Sequence, residues 1–175
     1  MALFVLNAAG SDRPGLTEAL AAAILSAGGN WLESHLTRLG GLYVGSVLVE
    51  LDADSVEALR AAVSKVDGQG LEVRIAPAID GAIPADAAGE ELHFGLVGQD
   101  RLGIVRQVTG VLSSLNANIE TFRTWVDAEP HSGAPLFHME AHLRLPPGLG
   151  APTVQAALED ISAEIMVDFS LSQAL

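Results

Sequence analysis

Gly10-Ser11-Asp12-Arg13-Pro14-Gly15-Leu16 returns 88 residues later as Gly98-Gln99-Asp100-Arg101-Leu102-Gly103-Ile104. Similarity at a fixed offset marks a duplicated unit. The same offset carries Asn30 onto Asn118 and Trp31 onto Ile119. An apolar run precedes each copy of the motif, residues 3–9 and 92–97, and each reads as a short buried strand. An apolar stripe at helical spacing follows each. In the first copy it is Leu16, Ala19, Leu20, Ala23, Ile24 and Ala27; in the second, Ile104, Val108, Val111, Leu112 and Leu115. Gly28-Gly29 supplies a left-handed stop for the first helix, and Asn116 stands in the corresponding place for the second.

Beyond each helix the period changes to two. Residues 31–39 turn at Gly40-Gly41 into residues 42–51. In the second copy, residues 119–127 lead through a longer loop, 128–134, into residues 136–145. There Phe137, Met139, Ala141, Leu143 and Leu145 alternate with His138, Glu140, His142 and Arg144, so one face is packed and the other wet. A second helix follows in each copy. Val56, Leu59, Val63 and Val66 form its stripe in the first; Val154, Ala157, Leu158, Ile161 and Ile165 form it in the second. Short strands close the copies at residues 71–76 and from Ile165 or Met166 to Leu171.

The order β-α-β-β-α-β, twice, predicts an α+β protein of two tandem ferredoxin-like domains. Each has a four-stranded antiparallel sheet with two helices on one face, the first and third strands adjacent. The expected boundaries are a first domain over 1–78, a linker over 79–90 rich in Pro, Ala, Gly and acid, and a second domain over 91–175.

The repeated motif falls where a strand ends and a helix begins. Asp12 and Asp100 read as helix N-caps, Pro14 as a residue of the first turn, and Gly15 and Gly103 as points of close backbone approach. Such a helix start also suits a carboxylate or phosphate. Asn30 and Asn118, opening the next strand, can donate and accept, or else end the helix in a left-handed conformation.

With these residues in place, the chain resembles the ACT domain family. The resemblance rests on Asp-Arg-x-Gly-(Leu/Ile) with Asn30-Trp31-Leu32 and Asn118-Ile119-Glu120, and it covers nearly the whole chain. Within that family the layout is similar to tandem-ACT regulators of the glycine cleavage repressor kind. The resemblance implies a small amino acid, glycine- or serine-like, bound at an interface between ACT modules. The implied contacts are Asp12, Arg13, Pro14, Gly15, Leu16 and Asn30 in one copy, and Asp100, Arg101, Leu102, Gly103, Ile104 and Asn118 in the other. It also implies regulation through a partner protein, a transcription factor or a metabolic enzyme. Leu102 where the first copy has Pro14, and Trp31 where the second has Ile119, are departures that set the two copies apart.

Composition narrows the function. The formal charge is −13, with nine Lys and Arg scattered, so direct nucleic-acid binding is not expected. No apolar run approaches a membrane span, and the N-terminus lacks the basic region of a secretory signal, so a cytoplasmic protein is expected. Cysteine is absent, and no nucleophile elbow or phosphate-binding loop occurs, so catalysis and cofactors are not expected. Exposed sheet edges favour a homodimer. His93, His138, Glu140 and His142 share the wet face of the second sheet; this reads as a polar surface rather than a metal site. The rival readings are an interaction module without a ligand and an accessory metal-binding subunit.

Overall fold

The computed structural model describes residues 1–68, 70–79, 89–129, 132–161 and 166–171. Most of the expected linker, and with it His131 and Ile165, lies outside them. The chain divides into two compact units, Met1–Ala82 and Ile83–Leu175.

The first unit runs β1 (Ala2–Ser11), α1 (Leu16–Ser26), β2 (Asn30–Leu39), β3 (Leu42–Leu51), α2 (Val56–Asp67) and β4 (Leu71–Pro77). The second runs β5 (Glu91–Gln99), α3 (Ile104–Ser114), β6 (Asn118–Ala128), β7 (Pro135–Arg144), α4 (Ala151–Glu159) and β8 (Met166–Leu171). Both sheets are antiparallel, ordered β2-β3-β1-β4 and β6-β7-β5-β8. The ferredoxin-like arrangement expected from the repeat is therefore present in both units, with first and third strands adjacent.

Alternation decides what each sheet buries. Phe4, Leu6 and Ala8 of β1 and Val47, Val49 and Leu51 of β3 pack with Leu20 and Ile24 of α1 and Leu59 and Val63 of α2. The second core repeats this with Leu92, Phe94, Leu96, Met139, Leu143, Val108, Leu112, Val154 and Leu158. Among the described residues no buried position is polar or charged, so the helix-facing side of each sheet is dry and all polar chemistry lies elsewhere.

Helix ends confirm the stop signals. Gly28 takes φ 77° and Asn116 φ 55°. Each forms a paired C-terminal closure. Gly28 N–H donates to Leu25 O and Gly29 N–H to Ile24 O; Asn116 N–H donates to Ser113 O and Ala117 N–H to Leu112 O. The left-handed residue is therefore Asn116 and not Asn118, and Asn30 and Asn118 are the first residues of β2 and β6.

Candidate functional site

The helix starts differ from the sequence expectation. Gly15 and Gly103 occupy the N-cap positions, at φ 92° and 85°, and no side chain caps either helix. Asp12 and Asp100 are not caps, and Pro14 precedes the first turn instead of lying in it. The cause is visible for Asp12: its carboxylate is drawn to the Arg38 guanidinium near the end of β2, at 3.1 Å. In the second unit the position of Arg38 holds Val126, and Asp100 has no ion pair among the described residues.

A left-handed glycine leading into a helix that no side chain caps leaves first-turn N–H groups without a side-chain partner, and puts the positive end of the helix dipole behind them. In the second unit the Ile104 N–H donates to Arg101 O. In the first unit this start borders an open groove lined by Arg13, Pro14, Gly15, Leu16, Glu18, Ala19 and Gly68. Arg13 supplies a cation, and its guanidinium reaches towards Gly70. Gly10 is fixed as glycine by the fold, because a Cβ there would lie 2.1 Å from Gly70 O. Thr17, on the first turn of α1, hydrogen-bonds Tyr43 of β3 (2.8 Å) and braces the helix over that end of the sheet. Arg101 and Leu102 mark the corresponding turn in the second unit, where Leu102 is fully exposed.

Within one unit the expected site residues do not come together. Asn30 pairs across β3 with Glu50, and Glu50 with Leu3 near the start of β1. The turn follows Ser11, at the other end of β1. Seven strand residues separate the row of Leu3 from that of Gly10, roughly 23 Å at the usual rise. Asn118 is likewise in the row of Glu91, while Asp100 follows Gln99. Asp12, Arg13, Pro14, Gly15 and Leu16 form one group and Asp100, Arg101, Leu102, Gly103 and Ile104 another; Asn30 and Asn118 stand alone and exposed at the far edges.

The wet face of the second sheet carries a ladder of paired polar side chains. Arg144 donates from Nε to Glu120 (2.6 Å) and from Nη2 to Glu91 (2.7 Å). Those hydrogen bonds, Glu120 first, hold its guanidinium protonated beyond the ordinary arginine value. Trp125 stacks on His138, ring centroids 5.0 Å apart, with the Arg123 guanidinium over the indole. Arg123 also approaches Glu140 at 3.7 Å. This ladder was not foreseen from sequence beyond the alternation, because it depends on register and on a bulge at Glu120 between Ile119 and Thr121. No three His, Cys, Asp or Glu side chains gather as a metal centre among the described residues.

Residues 2–76 match the family model of the ACT domain. No curated protein matches the chain in sequence. Among solved structures, a protein of unknown role from Galdieria sulphuraria is 28% identical with TM-score 0.84, over 98% of this chain and 99% of that one. A candidate glycine cleavage system transcriptional repressor superposes with TM-score 0.69 at 14% identity, over 98% of each chain. The N-terminal unit is similar in sequence to the ACT domain over residues 2–76, and the C-terminal unit repeats the same fold.

Proposed function

We propose that this tandem of ACT-type modules is a non-catalytic regulator that takes a small amino acid, glycine- or serine-like, at an interface between ACT modules. The observation that carries the reading is the repeated uncapped helix start behind a left-handed glycine, bordered in the first unit by a groove with Arg13 on its wall. First-turn N–H groups and a guanidinium suit a carboxylate. Asn30 and Asn118 can reach such a ligand only from a second module, since each is a strand's length from its own turn. A homodimer, acting in the cytoplasm, provides such a neighbour. Ligand binding then shifts the population of the form that a partner protein recognises, a transcription factor or a metabolic enzyme. The charge of −13 favours a protein partner over nucleic acid.

Titration calorimetry with each of the twenty amino acids tests the reading. Saturable heat is expected for at least one small amino acid, weakened about tenfold or more by Arg13→Ala or Arg101→Ala, as befits loss of a charge-assisted hydrogen bond. A flat titration for all twenty overturns it and favours an interaction module without a ligand. Affinity capture from extract, with and without the amino acid, then identifies the partner.

A further inference from the structure

Among the described residues, the second unit exposes four large apolar side chains, Leu102, Val105, Phe122 and Val126. They are not scattered. Phe122 and Val126 lie on edge strand β6, opposite Ala141 and Phe137 of β7. Both partners are buried, so Phe122 and Val126 project to the helix-bearing side of the sheet. Val105 is on the first turn of α3, and Leu102 is in the turn before it. Phe137 also faces Gly98, just ahead of that turn, so Val126 stands at the same end of the sheet. An apolar strip thus runs along the helix side of β6 to the start of α3. The fold does not require it. The corresponding positions of the first unit hold Pro14, Thr17, Ser34 and Arg38, and there Thr17 bonds Tyr43 and Arg38 pairs with Asp12. Phe137 stands in the place of Tyr43, so both oxygens of the Thr17–Tyr43 bond are gone together. Exposed apolar residues are ordinary singly; a contiguous strip marks an interaction surface.

The rim of the strip is basic, in a chain of charge −13. Arg106 replaces Glu18 of the first unit, and Arg101 adjoins Leu102. Arg123 and Arg144 are engaged by carboxylates, but Arg101 and Arg106 have no ion pair among the described residues. Helix α3 carries no acid, which leaves Asp100 as the only one at the turn. We propose that this strip is a docking surface for an acidic amphipathic helix of a partner protein. Phe122 and Val126 are separated by roughly 13 Å along the strand. Apolar residues about eight apart on a helix are separated by roughly 12 Å, so one helix face can meet both. Carboxylates on its flank meet Arg101 and Arg106. A second copy of this chain is a poorer occupant, because a two-fold contact through the strip sets the two arginine rims against each other. The proposal rests on the reading that the chain acts through a partner protein, and it names the surface and the chemistry of that contact.

The test is fluorescence anisotropy of a labelled helical peptide of about 18 residues, long enough to hold its helix, titrated with the full chain. The peptide carries leucine along one face and glutamate on its flanks. Saturable binding is expected, about tenfold or more tighter than for the same peptide with lysine in place of glutamate. Phe122→Ser with Val105→Thr, the residues of the first unit, weakens it about tenfold or more and leaves the circular dichroism spectrum unchanged. Arg106→Glu weakens it about tenfold as well and flattens its salt dependence. Neither variant alters the calorimetric titration with amino acids. Absence of binding by the glutamate peptide overturns the proposal, whatever the amino acid heats. A flat amino acid titration beside intact peptide binding overturns the ligand reading alone and upholds the docking surface. Equal binding of the lysine peptide overturns the proposal, as does binding undiminished in Phe122→Ser with Val105→Thr. So does a sedimenting dimer that this double variant splits into monomers, because the strip would then be covered by a second copy.

Discussion

The two modules agree in strand order, in the place of the bulge after the first residues of β2 and β6, and in the left-handed closure of α1 and α3. They differ in what fills equivalent cross-strand positions. Leu36 of β2 faces Gly45 of β3 in the first sheet; Thr124 of β6 faces Met139 of β7 in the second. The large and small partners have changed strands. Leu36 packs onto the first core, while Met139 is fully buried in the second. The large apolar member comes from the edge strand in the first sheet and from the inner strand in the second. The cross-strand pair, rather than either residue alone, is what supplies apolar volume to the core at this row.

That exchange can be broken directly. Gly45→Met installs in the first sheet the residue that the second carries at the same place. Gly45 has φ 151°, and its new Cβ would lie 1.9 Å from His35 O. The expected loss is about 3 kcal/mol or more, by overpacking and backbone strain together. Urea unfolding followed by circular dichroism measures it. A variant as stable as the original would mean that the two positions are interchangeable and that the pairwise account is wrong.

A smaller effect separates the helix closures. Gly28→Ala forces a side chain into a left-handed conformation and should cost about 1–2 kcal/mol. Asn116→Gly places the module 1 residue in module 2 and should change stability by less than about 0.5 kcal/mol, since both residue types tolerate that conformation. Thermal melts of the two variants decide it. Equal losses would show that Asn116 contributes something beyond its backbone angle.

How much of this was readable beforehand follows from which interactions are local. The helix stops at Gly28 and Asn116 were legible because a left-handed residue announces itself without reference to the rest of the chain. The strand order followed from the element order, and β3 and β7 declared their buried faces by alternation. Caps were misread. Asp12 has the right chemistry and sits before a helix, yet Arg38 on another strand takes its carboxylate. That contact is 26 residues away in sequence, and no local rule sees it. Asn30 and Asn118 were grouped with the turns because they share the repeat offset, whereas the antiparallel path carries them to the opposite end of the sheet. The wet face of the second sheet was legible as polar, but its pairings depend on the bulge at Glu120, which nothing in the local sequence signals.

The smallest expected effect concerns the ends of the two wet faces. Leu3 and Glu50 stand in the first sheet where Glu91 and Arg144 stand in the second, and Leu32 stands where Glu120 joins them. Arg144→Met should lower the melting temperature only slightly, because its ion pairs lie at the surface and are screened by salt. The pH dependence has a defined sign. Arg144 binds its proton more tightly in the folded chain, so its contribution is fully present below the ordinary arginine value. It fades only as pH rises through the still higher folded value. Between pH 6 and 9 the difference in melting temperature between the original chain and Arg144→Met should therefore stay constant, and it should shrink as salt is added. A difference that varied across that range would mean that another titrating group contributes.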